Sequence, residues 1–207
     1  MKNIFQIGDN IDIIYFVEGT KIKDKLTITF IKNDLIYTCG HCFPKNAKTK
    51  YGNLVYTSGF DSPNEKEEIA IIKIKPKYLN LFKKIDVTND FKYIKSNIKT
   101  ILLNKRKTYN GNIIYYVNKK LPKGWVQLNN CYKINHMIDK LDFPYYLVVV
   151  KKLIKNNGFS GSPWLVIQDN KLKLLGGHIG RTEGKYNDLP IEIIYVKPLP
   201  KKCYLKF

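Results

Sequence analysis

Three short stretches carry side chains able to run acyl-transfer chemistry, and they lie far apart in the chain. Asn157-Gly158-Phe159-Ser160-Gly161-Ser162-Pro163-Trp164 holds a serine between glycines, with a proline closing the turn. Glycine lacks a Cβ, so the backbone there can take positive φ and come close to a substrate. Such a turn suits an exposed nucleophile. It would aim the amides of Gly158 and Ser160 at one point, where a carbonyl oxygen gaining charge could be held. Ser162 is the rival hydroxyl, and small residues before a proline also mark many ordinary turns. The second stretch, Tyr37-Thr38-Cys39-Gly40-His41-Cys42-Phe43, follows an apolar, strand-like segment. The third, Glu67-Glu68-Ile69-Ala70-Ile71-Ile72-Lys73-Ile74, leads from an acid into a β-branched run. Serine, histidine and carboxylate are the parts of a nucleophile, a general base and an orienting acid. Glu68 is the acid of choice, with Asp61, Glu65 and Glu67 as alternatives.

In the order His41, Glu68, Ser160, these stretches resemble the chymotrypsin-like (trypsin-like) serine peptidases, whose chain order is His, acid, Ser. Thr38-Cys39-Gly40-His41-Cys42 is similar to that family's Thr-Ala-Gly-His-Cys. Glu68-Ile69-Ala70-Ile71-Ile72 is similar to its Asp-Ile-Ala-Leu-Leu, and Gly158 to Pro163 to its Gly-Asp-Ser-Gly-Gly-Pro. The resemblance implies a catalytic triad of His41, Glu68 and Ser160, with an oxyanion hole from the Gly158 and Ser160 amides. It departs from the trypsin branch at Glu68, where that branch has Asp, although picornavirus-type proteases of this fold use Glu in places. Phe159 stands where secreted relatives place the Asp that pairs with a newly cut N-terminus, so no activating cut is expected. No cysteine precedes Cys39, so the disulfide that usually flanks the catalytic histidine is not expected either.

Leu174-Leu175-Gly176-Gly177-His178-Ile179-Gly180-Arg181 resembles the Gly-x-His-x-Gly stretch of glutamyl endopeptidases and of viral proteases that cut after Gln or Glu. The resemblance implies a substrate pocket with His178 on its wall, Gly177, Ile179 and Gly180 beside it, and Lys155 nearby. Imidazole donates to an amide oxygen or a carboxylate, so cleavage after Glu or Gln is expected and cleavage after a basic residue is not. The bland alternative makes His178 a partly buried strand residue and leaves Lys155 in solvent.

The elements that must position these groups read as β. Ile11 to Val17, Leu26 to Ile31, Asn53 to Thr57 and Ile69 to Ile74 are short runs rich in β-branched and aromatic residues. Asn33-Asp34 and Asp169-Asn170 read as turns. Asn110-Gly111, between Thr100–Leu103 and Ile113–Val117, reads as a hairpin. Further strands are expected over Trp125 to Leu128, Tyr145 to Val150, Trp164 to Ile167 and Leu172 to His178, and Lys75 to about Asn97 reads as a connector. Regular short strands with turns between them predict an all-β fold. The resemblance makes this two six-stranded antiparallel barrels with the active site in the cleft. Residues 1–85 would be the N-terminal barrel with His41 and Glu68, 86–99 the linker, and 100–207 the C-terminal barrel with Ser160 and the pocket.

Composition narrows the rest. The 207 residues suffice for one large domain or two small lobes. No apolar run reaches 18 residues, so no membrane span is expected, and the N-terminus breaks into Asp9 and Asp12 too early for a secretory signal. Four cysteines, unevenly placed, fit a reducing compartment. An intracellular protein, in a host cytoplasm or a virion, is the expected setting. Cys39-Gly40-His41-Cys42 also spells a dithiol motif, but that chemistry needs a helix start, and Phe43-Pro44 follows instead. The same residues could ligate zinc, yet no second cluster completes four ligands, so neither metal nor cofactor is expected. The formal charge of +19 arises almost wholly from lysine, only Arg106 and Arg181 being arginine. That charge is spread along the chain and reads first as a solvated surface. It would also attract nucleic acid. The two candidate functions are a serine endopeptidase acting on polypeptides, of viral processing type, and a catalytically silent double-barrel module binding peptide or nucleic acid.

Overall fold

Between Asn10 and Cys39 short β-branched runs are separated by turns, two of which carry a left-handed backbone at Glu18-Gly19 and at Asn33. A computed structural model describes residues 4–44, 46–58, 67–92, 97–102, 107–116, 121, 123–127, 145–150 and 160–199. Strand β1 (Asn10–Val17) returns as β2 (Thr20–Thr27) through Glu18 and Gly19, both at positive φ. Strands β3 (Phe30–Lys32), β4 (Leu35–Cys39), β5 (Gly52–Ser58) and β6 (Ile69–Ile74) form a four-stranded antiparallel sheet in the order β3-β4-β6-β5. In β1, Ile11 and Ile13 are buried while Asn10 and Asp12 are exposed, the period-two pattern of a strand with one wet face. By contrast, β4 is buried throughout, so it is covered on both faces.

The second set comprises β7 (Asn97–Leu102), β8 (Lys107–Tyr116), β9 (Trp125–Gln127), β10 (Tyr145–Val150), β11 (Pro163–Gln168), β12 (Lys171–Tyr186) and β13 (Leu189–Lys197). Six of these strands pair in a ring, β11-β7-β8-β10-β13-β12 and back to β11, with β9 added at the outer edge of β12. The all-β architecture expected from the sequence is therefore observed. The second set closes through its pairings, whereas the first six strands divide into a hairpin and a sheet.

Two-residue turns set the registers where expected. Asp169 and Asn170, at φ 54° and 57°, join β11 to β12, and Asn33 at φ 55° turns β3 into β4. One expectation fails. Asn110-Gly111 lies inside β8, with Gly111 opposite Ile98 of β7. An Asn-Gly pair favours a tight turn, but here strand pairing on both sides of β8 overrides it. Strand β12 is longer than expected and carries a bulge between His178 and Gly180 against β13. Among the described residues, no helix is long and apolar enough to cross a membrane.

Two apolar clusters hold these sets. One gathers Ile11, Ile13, Leu26, Ile28, Ile36 and Ile72 from the first set with Leu165 and Leu174 from the second. The other is built on Ile113, Val148, Trp164, Val166, Ile194 and Val196. Leu165 and Trp164 thus point to opposite clusters from one strand, so β11, which follows Ser160, is clamped on both faces.

Candidate active site

His41 sits on a single 3₁₀ turn, Gly40–Cys42, at the end of β4. Only glycine fits at position 40, because a Cβ there would lie 1.9 Å from the Ser58 carbonyl oxygen. The Gly40 amide donates to the Glu68 carbonyl at 3.0 Å, which ties the turn to the start of β6. Glu68 itself has φ 52°, a costly conformation for a side chain of this length. The β4–β6 pairing fixes it, since Cys39 lies opposite Ile69. The outcome is a buried carboxylate aimed at the histidine.

Glu68 Oε1 accepts from the His41 amide at 2.7 Å and lies 2.5 Å from His41 Nδ1. On the other side of the ring, His41 Nε2 is 2.8 Å from Ser160 Oγ. With Nδ1 protonated toward the carboxylate, Nε2 is left as the acceptor for the serine proton. The structure therefore brings His41, Glu68 and Ser160 into one line. Glu67 is engaged elsewhere, accepting from Tyr56 Oη at 2.5 Å. Ser162 is fully buried. Asp61 and Glu65 lie outside the described residues, as do Gly158 of the expected oxyanion hole and Lys155 of the expected pocket.

The serine is held by its neighbours. Gly161, at φ 80°, donates its amide to the His178 carbonyl at 2.8 Å and accepts from Thr29 Oγ1 at 2.6 Å. The His178 amide in turn donates to the Ser162 carbonyl at 2.9 Å. A threonine from the first strand set and a histidine from the second thus pin one turn.

Two cysteines complete the surroundings, Cys39 and Cys42, which the sequence offered only as a dithiol or zinc motif that was set aside. Cys39 Sγ donates to Glu68 Oε1 at 3.4 Å and lies 3.0 Å from His41 Nδ1. Interactions with Cys39, His41 and Ser160 hold the Cys42 thiol down at about 5 against the opposing effect of burial. Burial works to lower the His41 pKa, but hydrogen bonds to Cys42 and Glu68, with their negative charge, raise it to about 10. The share due to Cys42 exists only while that sulfur is a thiolate. Neither cysteine is disulfide-bonded.

His178 is buried on β12, next to the bulge. Trp164 Nε1 donates to its Nδ1 at 3.2 Å, so the ring proton of a neutral His178 resides on Nε2. Burial first, then the positive charges of Arg181 and His41, push its pKa down to about 3. It is therefore neutral at any ordinary working pH. Gly177 and Ile179 flank it as buried residues and Gly180 is half-buried. The role of Trp164 had no signature in the sequence, because a cross-strand indole–imidazole contact depends on register.

No family model matches the chain, and no curated protein matches it. Among solved structures it is similar to the inactive form of the Rv3671c protease of M. tuberculosis H37Rv carrying a Ser-to-Ala change. Identity there is 11%, TM-score 0.45, with 91% of this chain and 82% of that chain covered. It is also similar to the murine norovirus NS6 protease, inactive mutant, at 10% identity and TM-score 0.41, with 88% and 92% covered. Likenesses this shallow carry nothing over to this chain.

Proposed function

We propose that the protein is a serine endopeptidase of the chymotrypsin-like type that cleaves polypeptides after Gln, and less readily after Glu. The observation that carries this is the hydrogen-bonded line from the Glu68 carboxylate through both nitrogens of His41 to Ser160 Oγ. In this reading His41 takes the Ser160 proton as Oγ attacks the scissile carbonyl, then returns it to the leaving amine. Glu68 holds the ring tautomer and offsets the charge of the imidazolium. The amides of Gly158 and Ser160 would receive the oxyanion, each donor being worth about 3 kcal/mol. His178, neutral and protonated at Nε2, is suited to donate to the side-chain oxygen of the residue before the cut. A neutral donor gives a buried carboxylate no counter-charge, which favours Gln over Glu. Lys155 would have to supply that charge if Glu were preferred. Residues 1–85 and 100–207 would be the two lobes that meet at this site.

The test is cleavage-site profiling on a peptide library with wild type and Ser160→Ala. Expected is cleavage after Gln, reduced about 10⁶-fold in the variant. Cleavage after Lys or Arg would overturn the pocket assignment. Absence of cleavage by both forms would leave the silent binding module as the better account of a chain with net charge +19.

A further inference from the structure

Cys39-Gly40-His41-Cys42 spans one turn, and the peptidase reading leaves both of its thiols without a task. Cys39 is the N-cap of the 3₁₀ turn and Cys42 its last residue. Side chains three positions apart eclipse on such a turn, and the two sulfurs lie within 4.8 Å of each other. A turn of this size also sets its end Cα atoms within the range that disulfides span, about 4.4–6.8 Å. Closure to a disulfide therefore asks chiefly for side-chain rotation. The two thiols differ in their surroundings. Cys39 is buried and donates to Glu68 Oε1, whereas Cys42 is half-exposed. Burial pushes the Cys39 thiol up, and Cys42 and Glu68 add to that, while Cys42 at about 5 is a thiolate at neutral pH. A reachable thiolate beside a protonated thiol gives one sulfur to be oxidised and one to resolve it. In helical dithiol motifs the helix N-terminus lowers the reactive thiol; here interactions with Cys39 and His41 do so.

We propose that Cys42 and Cys39 are a redox pair: Cys42 reacts with a hydroperoxide, Cys39 closes the disulfide, and closure moves the working range of the enzyme to lower pH. The Cys42 sulfur attacks one peroxide oxygen and the O–O bond breaks. The departing oxygen takes a proton from solvent and leaves as alcohol or water, and Cys42 is then a sulfenic acid. Cys39 passes its proton to Glu68 Oε1, 3.4 Å away, as its sulfur displaces hydroxide from Cys42. The hydroxide collects that proton and leaves as water. Two thiols are oxidised and one hydroperoxide is reduced. Cys39 Sγ lies 3.0 Å from His41 Nδ1, so closure turns one sulfur away from the Glu68–His41 pair and cancels the charge of the other. With no thiolate left to hold a proton on His41, the ring loses it at lower pH. This catalytic consequence rests on His41 being the general base; the disulfide itself does not.

Mass mapping on the wild-type protein tests the bond. Cleavage at Lys32 and Lys45 releases one tryptic peptide that holds Cys39 and Cys42 and neither Cys131 nor Cys203. After brief exposure to hydrogen peroxide, this peptide should be two hydrogens lighter and refuse a thiol-alkylating agent. Dithiothreitol should restore both labels. On the best peptide substrate, the acid limb of kcat/KM against pH should lie lower after peroxide and return with dithiothreitol. Each pH unit of displacement is about a 10-fold gain in rate on that limb. Cys42→Ser, at a half-exposed position that guards against a folding failure, should show the lower limb with or without peroxide. A peptide that keeps both labels, or carries a sulfinic acid in place of a disulfide, overturns the pair. A disulfide that leaves the limb unmoved, or stops cleavage at every pH, overturns the switch and leaves the peptidase standing. A disulfide in a protein that cleaves nothing supports the pair and removes the peptidase.

Discussion

At the residue scale, the site concentrates on one carboxylate oxygen. Glu68 Oε1 faces the His41 amide, His41 Nδ1 and the Cys39 thiol, while buried Oε2 has no hydrogen-bond partner among the described residues. Removing the charge but keeping the shape should therefore free the imidazole to flip its tautomer. Glu68→Gln is expected to lower kcat by about 10⁴-fold. Glu67→Gln, whose native partner is Tyr56, should change it little. Steady-state kinetics on the best peptide decides. An equal loss in both variants would move the orienting acid away from Glu68. The cysteine beside the ring makes a separate, signed prediction. His41 must be neutral to act as a base, so kcat/KM should rise with pH through its raised pKa and favour alkaline conditions. Cys42→Ser removes a thiolate that helps to raise that pKa, so the acid limb of the profile should move to lower pH. A limb that stays put would show that the Cys42 sulfur is uncharged.

Among the elements, the site depends on contacts that tie the two strand sets together at the serine turn. Thr29 Oγ1 donates to the Gly161 carbonyl, and both groups are buried. Thr29→Val keeps the shape and strands that acceptor, at a cost of about 1–3 kcal/mol. It should lower stability by that amount in denaturant melts and reduce kcat more than it raises KM. Unchanged kinetics would mean that the turn holds its geometry without this bond. The same level shows what could be read beforehand. Ile69–Ile74, Tyr145–Val150 and the Asp169-Asn170 turn were legible because period, β-branching and left-handed tolerance all agree there. Asn110-Gly111 was misread because a local turn preference yielded to pairing with β7 and β10. His41, Glu68 and Ser160 were legible as types in order. Trp164 on His178 and Cys39 on Glu68 were not, since both contacts arise from register across strands.

For the molecule as a whole, burying a neutral histidine writes itself into acid stability. His178 has its pKa pushed down to about 3 in the fold, against about 6.5 unfolded. Below pH 6.5 the unfolded chain takes a proton that the folded one refuses, so stability falls as pH drops toward 3. Each pH unit in that window costs about 1.4 kcal/mol. His41 does not add to this slope. Its folded pKa is raised, so its contribution is complete below 6.5 and is lost only as pH climbs toward about 10. Cys42, held down at about 5 in the fold, adds a slope of the same sign as pH drops toward 5, so the comparison is made in a Cys42→Ser background. Carboxylates begin to titrate near pH 4.5, which leaves pH 6.5 to 4.5 for His178 in that background and a loss of roughly 3 kcal/mol there. His178→Gln can still accept from Trp164 and carries no titrating group. It should be less stable at neutral pH yet nearly flat across the window. Urea unfolding at half-unit pH steps distinguishes them. In that background, a curve with His178 as flat as the one with His178→Gln would mean that the imidazole is protonated in the fold. The donor proposed for the substrate side chain would then be a cation, and the preference would turn from Gln toward Glu.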